Sequence, residues 1–326
     1  GLDKAFLAGV GIDSMSGDIP ETVFFMFQMT FAIITPALIV GAYVERIKFS
    51  AVILFSAIWS ILVYAPVAHW VWGGGWLGSQ GTLDFAGGTV VHINAGVAAV
   101  AAAVLIGKRR NPGLEPHNVP YVVVGAALLW FGWFGFNGGS ALAANGDAGM
   151  AITATHISAA TAALTWMFIE WIQHGKPTVV GAATGAIAGL ATITPASGFV
   201  GPIGALIIGF LAGLICYKMC GVIKNLWNID DSLDVMAVHG VGGIIGTLLT
   251  AVLGVKAFGG LGLSDQSMGQ QFITQLIGVV AVGVFCGVVT WIIVMVVKQI
   301  CGLRVSDDEE TEGLDTSVHG EKGYRL

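Results

Sequence analysis

Charged residues are scarce in this chain. Asp, Glu, Lys and Arg make up 10% of its 326 residues, and hydrophobic residues make up 55%. A soluble globular domain carries about 25% charged residues. So few charges could not cover the surface of a water-soluble fold, so we expect most of the outer surface to face lipid.

Basic residues and cysteines are also few. The net charge of −6 excludes a polyanion-binding surface and predicts no nucleic-acid partner. The four cysteines, Cys216, Cys220, Cys286 and Cys301, have neither a His nor a second Cys pair at zinc-ligand spacing. We interpret them as free thiols and predict no metal and no cofactor. No charged segment followed by an apolar core and a cleavage site precedes the first long apolar run, so no signal peptide is expected.

Long apolar runs are abundant instead. They extend over about 20 residues, the length that predicts transmembrane helices rather than barrel strands. The sequence thus predicts an all-α polytopic membrane protein with one transmembrane domain, residues 1–300, and a polar tail, residues 301–326. The nine predicted spans are 21–44, 49–71, 84–107, 119–141, 149–173, 178–197, 201–223, 234–254 and 271–298.

The basic residues are distributed unequally between the two sides. Twelve of the 14 Lys and Arg residues fall on one side, and only Lys4 and Lys256 on the other. The positive-inside rule places the richer side and the C-terminus in the cytoplasm, with residue 1 outside. The twelve are Arg46, Lys48, Lys108, Arg109, Arg110, Lys176, Lys218, Lys224, Lys298, Arg304, Lys322 and Arg325.

Two histidines occupy matching positions in the third and eighth spans. His92 and His239 each follow a Val, have an Asp eight residues earlier (Asp84 and Asp231) and a Gly four residues later. An ionisable side chain at membrane depth is costly and suggests function. Five spans separate the two helices, so they run in opposite directions and predict an inverted repeat. The imidazoles should then face each other about 2.7–3.2 Å apart.

Three roles are open for this pair. Each histidine could simply bond a neighbouring helix. Two neutral imidazoles could pass a proton between them, one donating and one accepting. A zinc site is the third, but no further ligand is adjacent. No nucleophile or carboxylate accompanies the pair either, so no enzymatic activity is expected. His156, inside its own span, is interpreted as packing.

Aromatic residues gather at the outer ends of neighbouring spans. They are usually membrane-interface belt residues. Together they could instead form a cation–π cup for a small cation, with a serine hydroxyl accepting a hydrogen bond. Asp84 begins its span and is interpreted as a helix N-cap. The outer residues in question are Phe27, Phe31, Trp72, Phe134, Phe136 and Ser140.

From about residue 20 to the end, the sequence resembles the ammonium transporters of the Amt type. Five separated motifs carry the resemblance and fall in order along the chain. They are Val71-Trp72-Gly73-Gly74-Gly75, Ala86-Gly87-Gly88-Thr89-Val90-Val91-His92, Gly132-Trp133-Phe134-Gly135-Phe136-Asn137, Asp234-Val235-Met236-Ala237-Val238-His239-Gly240 and the tail Gly313-Leu314-Asp315-Thr316-Ser317-Val318-His319-Gly320-Glu321.

The resemblance implies roles for these residues. Trp72, Phe31 and Ser140, with Phe27 beside them, would form an outer recruitment site for ammonium. Phe31 and Phe136 would be a stacked pair that blocks the pore, His92 and His239 the twin histidines that line it, and Asp84 a buried structural acid. It also implies a homotrimer in the inner (plasma) membrane, regulated on the cytoplasmic side by a PII signalling protein. Family members have eleven spans, so this chain would correspond to the third to eleventh and lack the first two.

The function that follows is nitrogen uptake by ammonium transport. Ammonium would be recruited outside and deprotonated, and ammonia would cross an apolar pore, with protons relayed by the histidines. The alternative is an ammonium sensor that signals through the tail, but family sensors usually carry an added signalling domain, for which this tail is too short. The tail is acidic and is expected to fold against the basic loop Lys108-Arg109-Arg110, a disordered tail being the alternative.

Overall fold

Nine apolar helices make up most of the part of the chain that the structure describes. The computed structural model describes residues 2–113, 115–263 and 266–324; Arg325, counted above on the basic side, lies outside them. We name the helices α1 (Glu21–Val40), α2 (residues 49–71), α3 (Gly88–Ile106), α4 (Val119–Ala141), α5 (Gly146–His174), α6 (Val179–Ile193), α7 (Pro202–Leu226), α8 (Met236–Leu253) and α9 (Met268–Cys301).

The predicted all-α membrane fold is confirmed. Within the described residues, eight of these helices are long and apolar enough to cross a membrane, and α6, with 15 residues, is a shorter ninth. One small element was not expected: strands β1 (Met15–Ser16) and β2 (Ile19–Pro20) form an antiparallel hairpin just before α1. Short helical turns also occupy Ala5–Leu7, Trp76–Ser79 and Lys256–Phe258.

The two histidine helices cross in opposite directions at the centre of the bundle. The first turns of α3 pack on the second half of α8, and the first turns of α8 pack on the second half of α3. Glycines permit this close crossing: a Cβ on Gly96 would lie 2.3 Å from the Cα of Gly240, and one on Gly243 would lie 2.9 Å from the Cβ of His92. The predicted inverted arrangement is therefore present in the structure.

Helical regularity is interrupted where the histidines lie. α3 begins with a π-helical segment, Gly88–Ile93, and α8 begins with another, Met236–Val241. A π-turn widens the helix and leaves some backbone groups less regularly paired, and such turns are frequent at functional sites. α3 starts at Gly88 rather than at residue 84, because Asp84 sits in the preceding loop and caps the helix from outside.

One end of the bundle, which we call the basic face, is defined by Arg46, Arg109, Arg110 and Arg304. Arg46 is fully buried and donates hydrogen bonds to the carbonyls of Ala42, Gly107 and Asp230 at 2.7–2.9 Å. Arg109 forms ion pairs with Asp230 at 2.9 Å and with Glu45 at 2.8 Å. These contacts join the loops after α1, α3 and α7 into one layer.

The tail is packed on the basic face, as predicted. The backbone N–H of Val305 donates to the carbonyl of Arg46 at 3.1 Å. Two short helices follow, α10 (Asp307–Glu312) and α11 (Leu314–Ser317). Glu310 accepts hydrogen bonds from the backbone of Arg110 at 2.8 Å and from the Arg304 guanidinium at 2.6 Å. The side chain of Arg110 also pairs with Asp307.

Candidate functional site: an aromatic entrance and a histidine pair

A cavity of 540 Å³ opens at the end of the bundle opposite the basic face; we call this end the aromatic face. Phe27, Phe31, Trp72 and Ser140 all line it, so the structure brings together the four residues predicted for a recruitment site. The Phe31 ring lies 4.9 Å from Phe27 and 5.3 Å from Trp72, with steep interplanar angles. Edge-to-face contacts of this kind are favourable and fix the rings in place.

Two polar contacts orient the cavity wall. The indole Nε1–H of Trp72 donates to the carbonyl of Asp84 at 2.8 Å, which holds the ring at the end of α2. The hydroxyl of Ser140 donates to the carbonyl of Phe136 at 2.8 Å. Because the hydroxyl proton is used, the lone pairs of the Ser140 oxygen are left to accept a hydrogen bond from a molecule in the cavity.

Phe31 and Phe136 separate this cavity from the interior. Phe31 is 1% exposed, and its ring centroid lies 4.7 Å from that of Phe136. The two rings of the predicted stacked pair are in contact and are tilted by 52° to each other. A tilted pair suits the ring quadrupoles better than a face-to-face sandwich. At this separation the two rings touch and leave no open passage between them.

The imidazoles lie directly beyond this pair. Nδ1 of His92 and Nδ1 of His239 are 3.2 Å apart, within the predicted hydrogen-bonding range. Such a bond requires one ring to donate and the other to accept, so the two rings hold complementary tautomers. His92 is fully buried and His239 is 8% exposed. Nε2 of His92 has no hydrogen-bond partner among the described residues.

Rings continue from the entrance to the histidines. The His92 ring lies nearly parallel to Phe136, at 6.1 Å, and to Trp133, at 5.6 Å. Trp133 belongs to one of the five motifs, but nothing in the sequence assigned it a role at the site. The available signal was its spacing, since it lies three residues before Phe136 on the same helix and so on a neighbouring part of its surface. Its Nε1–H donates to the hydroxyl of Thr194 at 2.8 Å, which holds it against His92.

Asp84 caps α3 with both carboxylate oxygens. One oxygen accepts from the backbone N–H groups of Gly87 and Gly88 at 2.8 and 2.6 Å. The other accepts from the backbone N–H of Thr89 at 2.8 Å and from the Thr89 hydroxyl. This is the interaction of an N-cap carboxylate with free helix N–H groups, as expected from its position. Asp84 supports the site without lining the cavity.

Asp231 occupies the equivalent place before α8 on the basic face. Its Oδ2 accepts from the backbone N–H of Met236 at 2.7 Å, whereas its Oδ1 is buried without a partner among the described residues. Burial raises the pKa of the Asp231 carboxyl to about 6, and the hydrogen bonds from Met236 and Val235 only partly oppose this. The two capping carboxylates are therefore equivalent in position but not in environment.

A second, mainly apolar groove of 620 Å³ runs between α1 and α4 and reaches both histidines. Thr30, Ile33 and Leu38 of α1 line one side, and Leu128 and Trp133 of α4 line the other. Ile33 and Leu128 are exposed. The histidine pair is thus approached from the aromatic face past Phe31 and also from the side of the bundle.

Two predicted residues lie away from the site. Phe134 does not line either cavity, and its ring instead lies 6.0 Å from that of His156. His156 also lies 5.4 Å from Trp130, so its predicted packing role agrees with its contacts. In the parts of the chain that the structure describes, no group of three or more His, Cys, Asp and Glu side chains could hold a metal ion.

The fold and this site define a polytopic membrane protein with an aromatic entrance leading to a buried imidazole pair. Comparison with known proteins identifies the family. Residues 5–324 match the model of the Ammonium Transporter Family, and the chain belongs to that family. It is 50% identical over 323 residues to an ammonium transporter of Aquifex aeolicus, covering 98% of this chain and 76% of that protein.

One further relative and two solved structures extend the comparison. The ammonium transporter Amt1 of Archaeoglobus fulgidus is 49% identical over 331 residues, which cover 99% of this chain and 81% of that protein. The crystal structure of Candida albicans Mep2 superposes with a TM-score of 0.86 at 38% identity, over 95% of this chain and 72% of that chain. A structure described as a Sensor Amt Protein superposes with a TM-score of 0.84 at 34% identity, over 90% and 76% of the two chains.

Proposed function

We propose that this protein transports ammonium: it recruits the ion at the aromatic cavity and conducts ammonia past His92 and His239. The observation that carries the proposal is the order of the parts. An aromatic cavity with a free serine acceptor lies directly outside a closed phenylalanine pair, and a hydrogen-bonded imidazole pair at 3.2 Å lies directly inside it. The same function is supported by two ammonium transporters that are 50% and 49% identical to this chain over nearly its whole length.

Recruitment rests on cation–π attraction. Trp72, Phe27 and Phe31 line the cavity, and the negative potential over the face of an aromatic ring attracts a cation. Such contacts are worth about 0.5–1 kcal/mol when exposed and about 2 kcal/mol when desolvated. The Ser140 oxygen accepts one N–H bond. Ammonium satisfies it as a donor, whereas potassium, of similar charge, has no proton to give.

Deprotonation follows from the cost of carrying a charge further. Moving a bare ion into a low-dielectric interior costs several kcal/mol even after relaxation. Phe31 and Phe136 leave no room for the ion's water shell. Ammonium therefore gives up one proton and becomes neutral ammonia, which crosses the apolar interior and takes up a proton on the other side. One N–H bond of the substrate is broken and later formed again. Ammonium is therefore released unchanged, and the protein is a transporter rather than an enzyme.

The released proton can follow a separate path through the imidazoles. His92 and His239 share one hydrogen bond, so protonation of the free nitrogen on one ring and release from the other relays a proton between them. The pair then has to change tautomers before the next cycle. The net result of ammonia and proton transfer is the movement of one positive charge.

The proposal also covers the orientation, the membrane, the oligomeric state and the partner of the protein. The C-terminus lies in the cytoplasm of a cell whose plasma (inner) membrane holds the protein as a homotrimer, and a PII-type protein docks on the tail. The nine helices correspond to the third to eleventh of the eleven-helix fold. The open groove between α1 and α4 supports this, since a helix packed there would seal the histidines from lipid.

The direct test is current recorded on a solid-supported membrane that carries proteoliposomes of the protein. A jump in ammonium concentration should give a saturable current in wild type, and a potassium jump should give none. His92→Glu and His239→Glu should each admit potassium, because a carboxylate offers a bare cation a partner in the pore. If potassium stays excluded in both variants while ammonium still moves, the imidazole pair is not the selectivity element.

A sensor is the second candidate, favoured by the similarity to a structure described as a Sensor Amt Protein. It would bind ammonium in the same cavity and change the contacts of the tail without sustained flux. The same current measurement separates the two functions. A single brief charge displacement that does not grow with the ammonium gradient would favour the sensor, whereas a continuing current favours transport.

A further inference from the structure

Three glutamine side chains hold the loop that leads from α2 into α3. Nε2 of Gln266 donates to the carbonyl of Gln80 at 3.1 Å, and Nε2 of Gln271 donates to the carbonyl of Gly81 at 2.9 Å. Gln275 binds the next part of the loop with both ends of its amide. We call Gln266, Gln271 and Gln275 the glutamine clasp. Gln271 and Gln275 belong to α9, and Gln266 lies just before it.

Gln275 is the most completely bonded member. Its Oε1 accepts from the backbone N–H of Leu83 at 2.8 Å and from Nε2 of Gln271 at 3.1 Å. Its Nε2 donates to the carbonyl of Leu83 at 2.6 Å and to the carbonyl of Thr247 at 3.0 Å. The side chain is fully buried, and its two donor hydrogens and two acceptor sites are all used. One amide therefore ties α9 to α8 and to the loop.

The bonded loop residue lies next to the recruitment site. Leu83 directly precedes Asp84, whose carbonyl accepts the indole N–H of Trp72 and whose carboxylate caps α3. The carboxylate is held by several N–H groups of α3 and moves with that helix. The peptide that carries this carbonyl is held on one side, where the N–H of Phe85 donates to the carbonyl of Pro195 at 3.1 Å. On the other side it joins, through the Cα of Asp84, the peptide whose Leu83 carbonyl accepts from Gln275. One residue thus separates Leu83 from the carbonyl that holds the Trp72 indole, so a displacement of Leu83 shifts one of the two supports of that carbonyl.

We propose that Gln275 is a positioning residue for the recruitment cavity: through Leu83 and Asp84 it fixes the indole of Trp72 over the site where ammonium enters. The proposal rests on the proposed function. Gln275 touches neither the cavity nor the histidines. Its effect is on the affinity of the entrance rather than on passage through the pore, because His92 and His239 are held by their own helices.

Two variants of Gln275 test this. Gln275→Met keeps the length and removes all four hydrogen bonds. Gln275→Glu keeps the oxygen that accepts from Leu83 and Gln271. It replaces the Nε2 donor by a second carboxylate oxygen, which would face the carbonyls of Leu83 and Thr247. Loss of one or two net hydrogen bonds corresponds to about a five- to thirtyfold change in a binding constant. The half-saturation concentration for ammonium current should rise by about this factor, with the maximal current per folded protein changing by less than about twofold.

Gln299→Met is the matched control, since Gln299 is an exposed glutamine on the same helix, and its half-saturation should stay at the wild-type value. Gln271→Met is a milder variant in case Gln275→Met folds poorly, because it leaves Gln275 in place and removes one bond to the loop. It should raise half-saturation in the same direction by a smaller factor. A lowered maximal current with unchanged half-saturation in these variants would overturn the positioning role and leave only a structural one.

Hydrogen exchange at the loop gives a readout that does not depend on transport. The amide of Leu83 is bonded to Gln275, so peptides covering residues 80–86 should exchange faster in Gln275→Met and at the wild-type rate in Gln299→Met. Faster exchange with wild-type half-saturation would refute the inference alone. Absence of ammonium current from the wild-type protein would instead refute the proposed function.

Discussion

The two capping carboxylates, Asp84 and Asp231, stand eight residues before equivalent histidines yet are bonded very differently. Both oxygens of Asp84 accept hydrogen bonds from helix N–H groups or a hydroxyl. Asp231 uses Oδ2 for the same purpose, but its Oδ1 is buried without a partner among the described residues. The inverted repeat therefore preserves the position of the cap and not its hydrogen bonding.

The difference shows how strongly the pKa of a buried carboxyl depends on whether both of its oxygens accept hydrogen bonds. Burial raises the pKa of the Asp231 carboxyl to about 6, so around neutral pH the folded protein carries an incompletely compensated anion there. The neighbouring Asp230 behaves in the opposite way. Burial acts to raise its pKa as well, but hydrogen bonds and charge from Arg109 outweigh burial and hold the pKa below its usual range.

Asp84→Asn should have the largest effect. The amide puts an NH₂ group where one oxygen now accepts from helix N–H groups, so at least two charge-assisted bonds are lost and donors are left buried. We expect a loss of about 3–5 kcal/mol in the free energy of unfolding. The measurement is the thermal unfolding midpoint in detergent, together with the yield of folded protein. An unchanged midpoint would remove Asp84 from the structural role assigned to it.

The same substitution in the other half, Asp231→Asn, should stabilise the protein at neutral pH. The folded pKa of about 6 lies above the ordinary value of 3.8, so the folded state binds the proton more tightly than the unfolded state. The stability that this provides is complete below about pH 4 and is lost as the pH rises through about 6. Removing the charge should then gain on the order of 1–3 kcal/mol above pH 6 and almost nothing below pH 4.

The predicted pH dependence can be checked with the thermal unfolding midpoints of wild type and Asp231→Asn. They would be measured between about pH 3.5 and 8 in roughly half-unit steps. The two curves should coincide at the acidic end and separate through the window. Curves that run parallel across the whole range would mean that Asp231 is not titrating there, and the contrast between the caps would then be one of geometry alone.

Trp72→Leu tests the residue that the Asp84 loop holds in place, since the Trp72 indole donates to the Asp84 carbonyl. Loss of one cation–π contact costs about 0.5–2 kcal/mol, so half-saturation of the ammonium current should rise by a few-fold to about thirtyfold. The fold should remain intact, since Trp72 is only partly buried. Trp76→Leu is the control, because Trp76 lies on the same face, is 41% exposed and does not line the cavity. Equal effects of the two substitutions would argue against a specific recruitment role.

Arg110→Gln should have the smallest effect. It removes the ion pair with Asp307, in which both side chains are more than half exposed, and exposed pairs contribute about 0–1 kcal/mol. The backbone N–H of Arg110 still donates to Glu310. Limited proteolysis of α10 should therefore be nearly unchanged, whereas Arg304→Gln, which breaks the pair with the buried Glu310, should speed it clearly. Equal rates in the two variants would contradict this ranking.

Much of the architecture was predictable from periodic and compositional signals. Span length and charge scarcity indicate helices in a membrane, and the matched positions of His92 and His239 predict the antiparallel crossing and a hydrogen-bonded pair. The acidic tail and the basic loop predict their contact, which Glu310 and Arg110 make. Each of these depends on local sequence or on charge, both of which are visible without coordinates.

The remainder depends on contacts between distant residues. Trp133 and Gln275 are ordinary members of apolar helices in sequence, and only packing shows that one stacks on His92 and the other binds Leu83. The 52° tilt of Phe31 against Phe136 depends on how α1 and α4 are placed relative to each other rather than on either segment alone. The unpartnered oxygen of Asp231 could not be predicted either, because the equivalent position of Asp84 suggested a complete cap. The roles assigned to the site residues stay predictions.

The glutamine clasp also bears on how the protein is made. α9 is translated after α1–α8, and the bonds from Gln275 reach back 192 residues to Leu83. Until α9 is in place, the α2–α3 loop lacks these bonds and is held by contacts to earlier segments, such as the hydrogen bond from the N–H of Phe85 to the carbonyl of Pro195. The wall of the aromatic cavity therefore gains its full set of hydrogen bonds only with α9, and a chain that stalls before α9 would leave Leu83 without its contacts to Gln275.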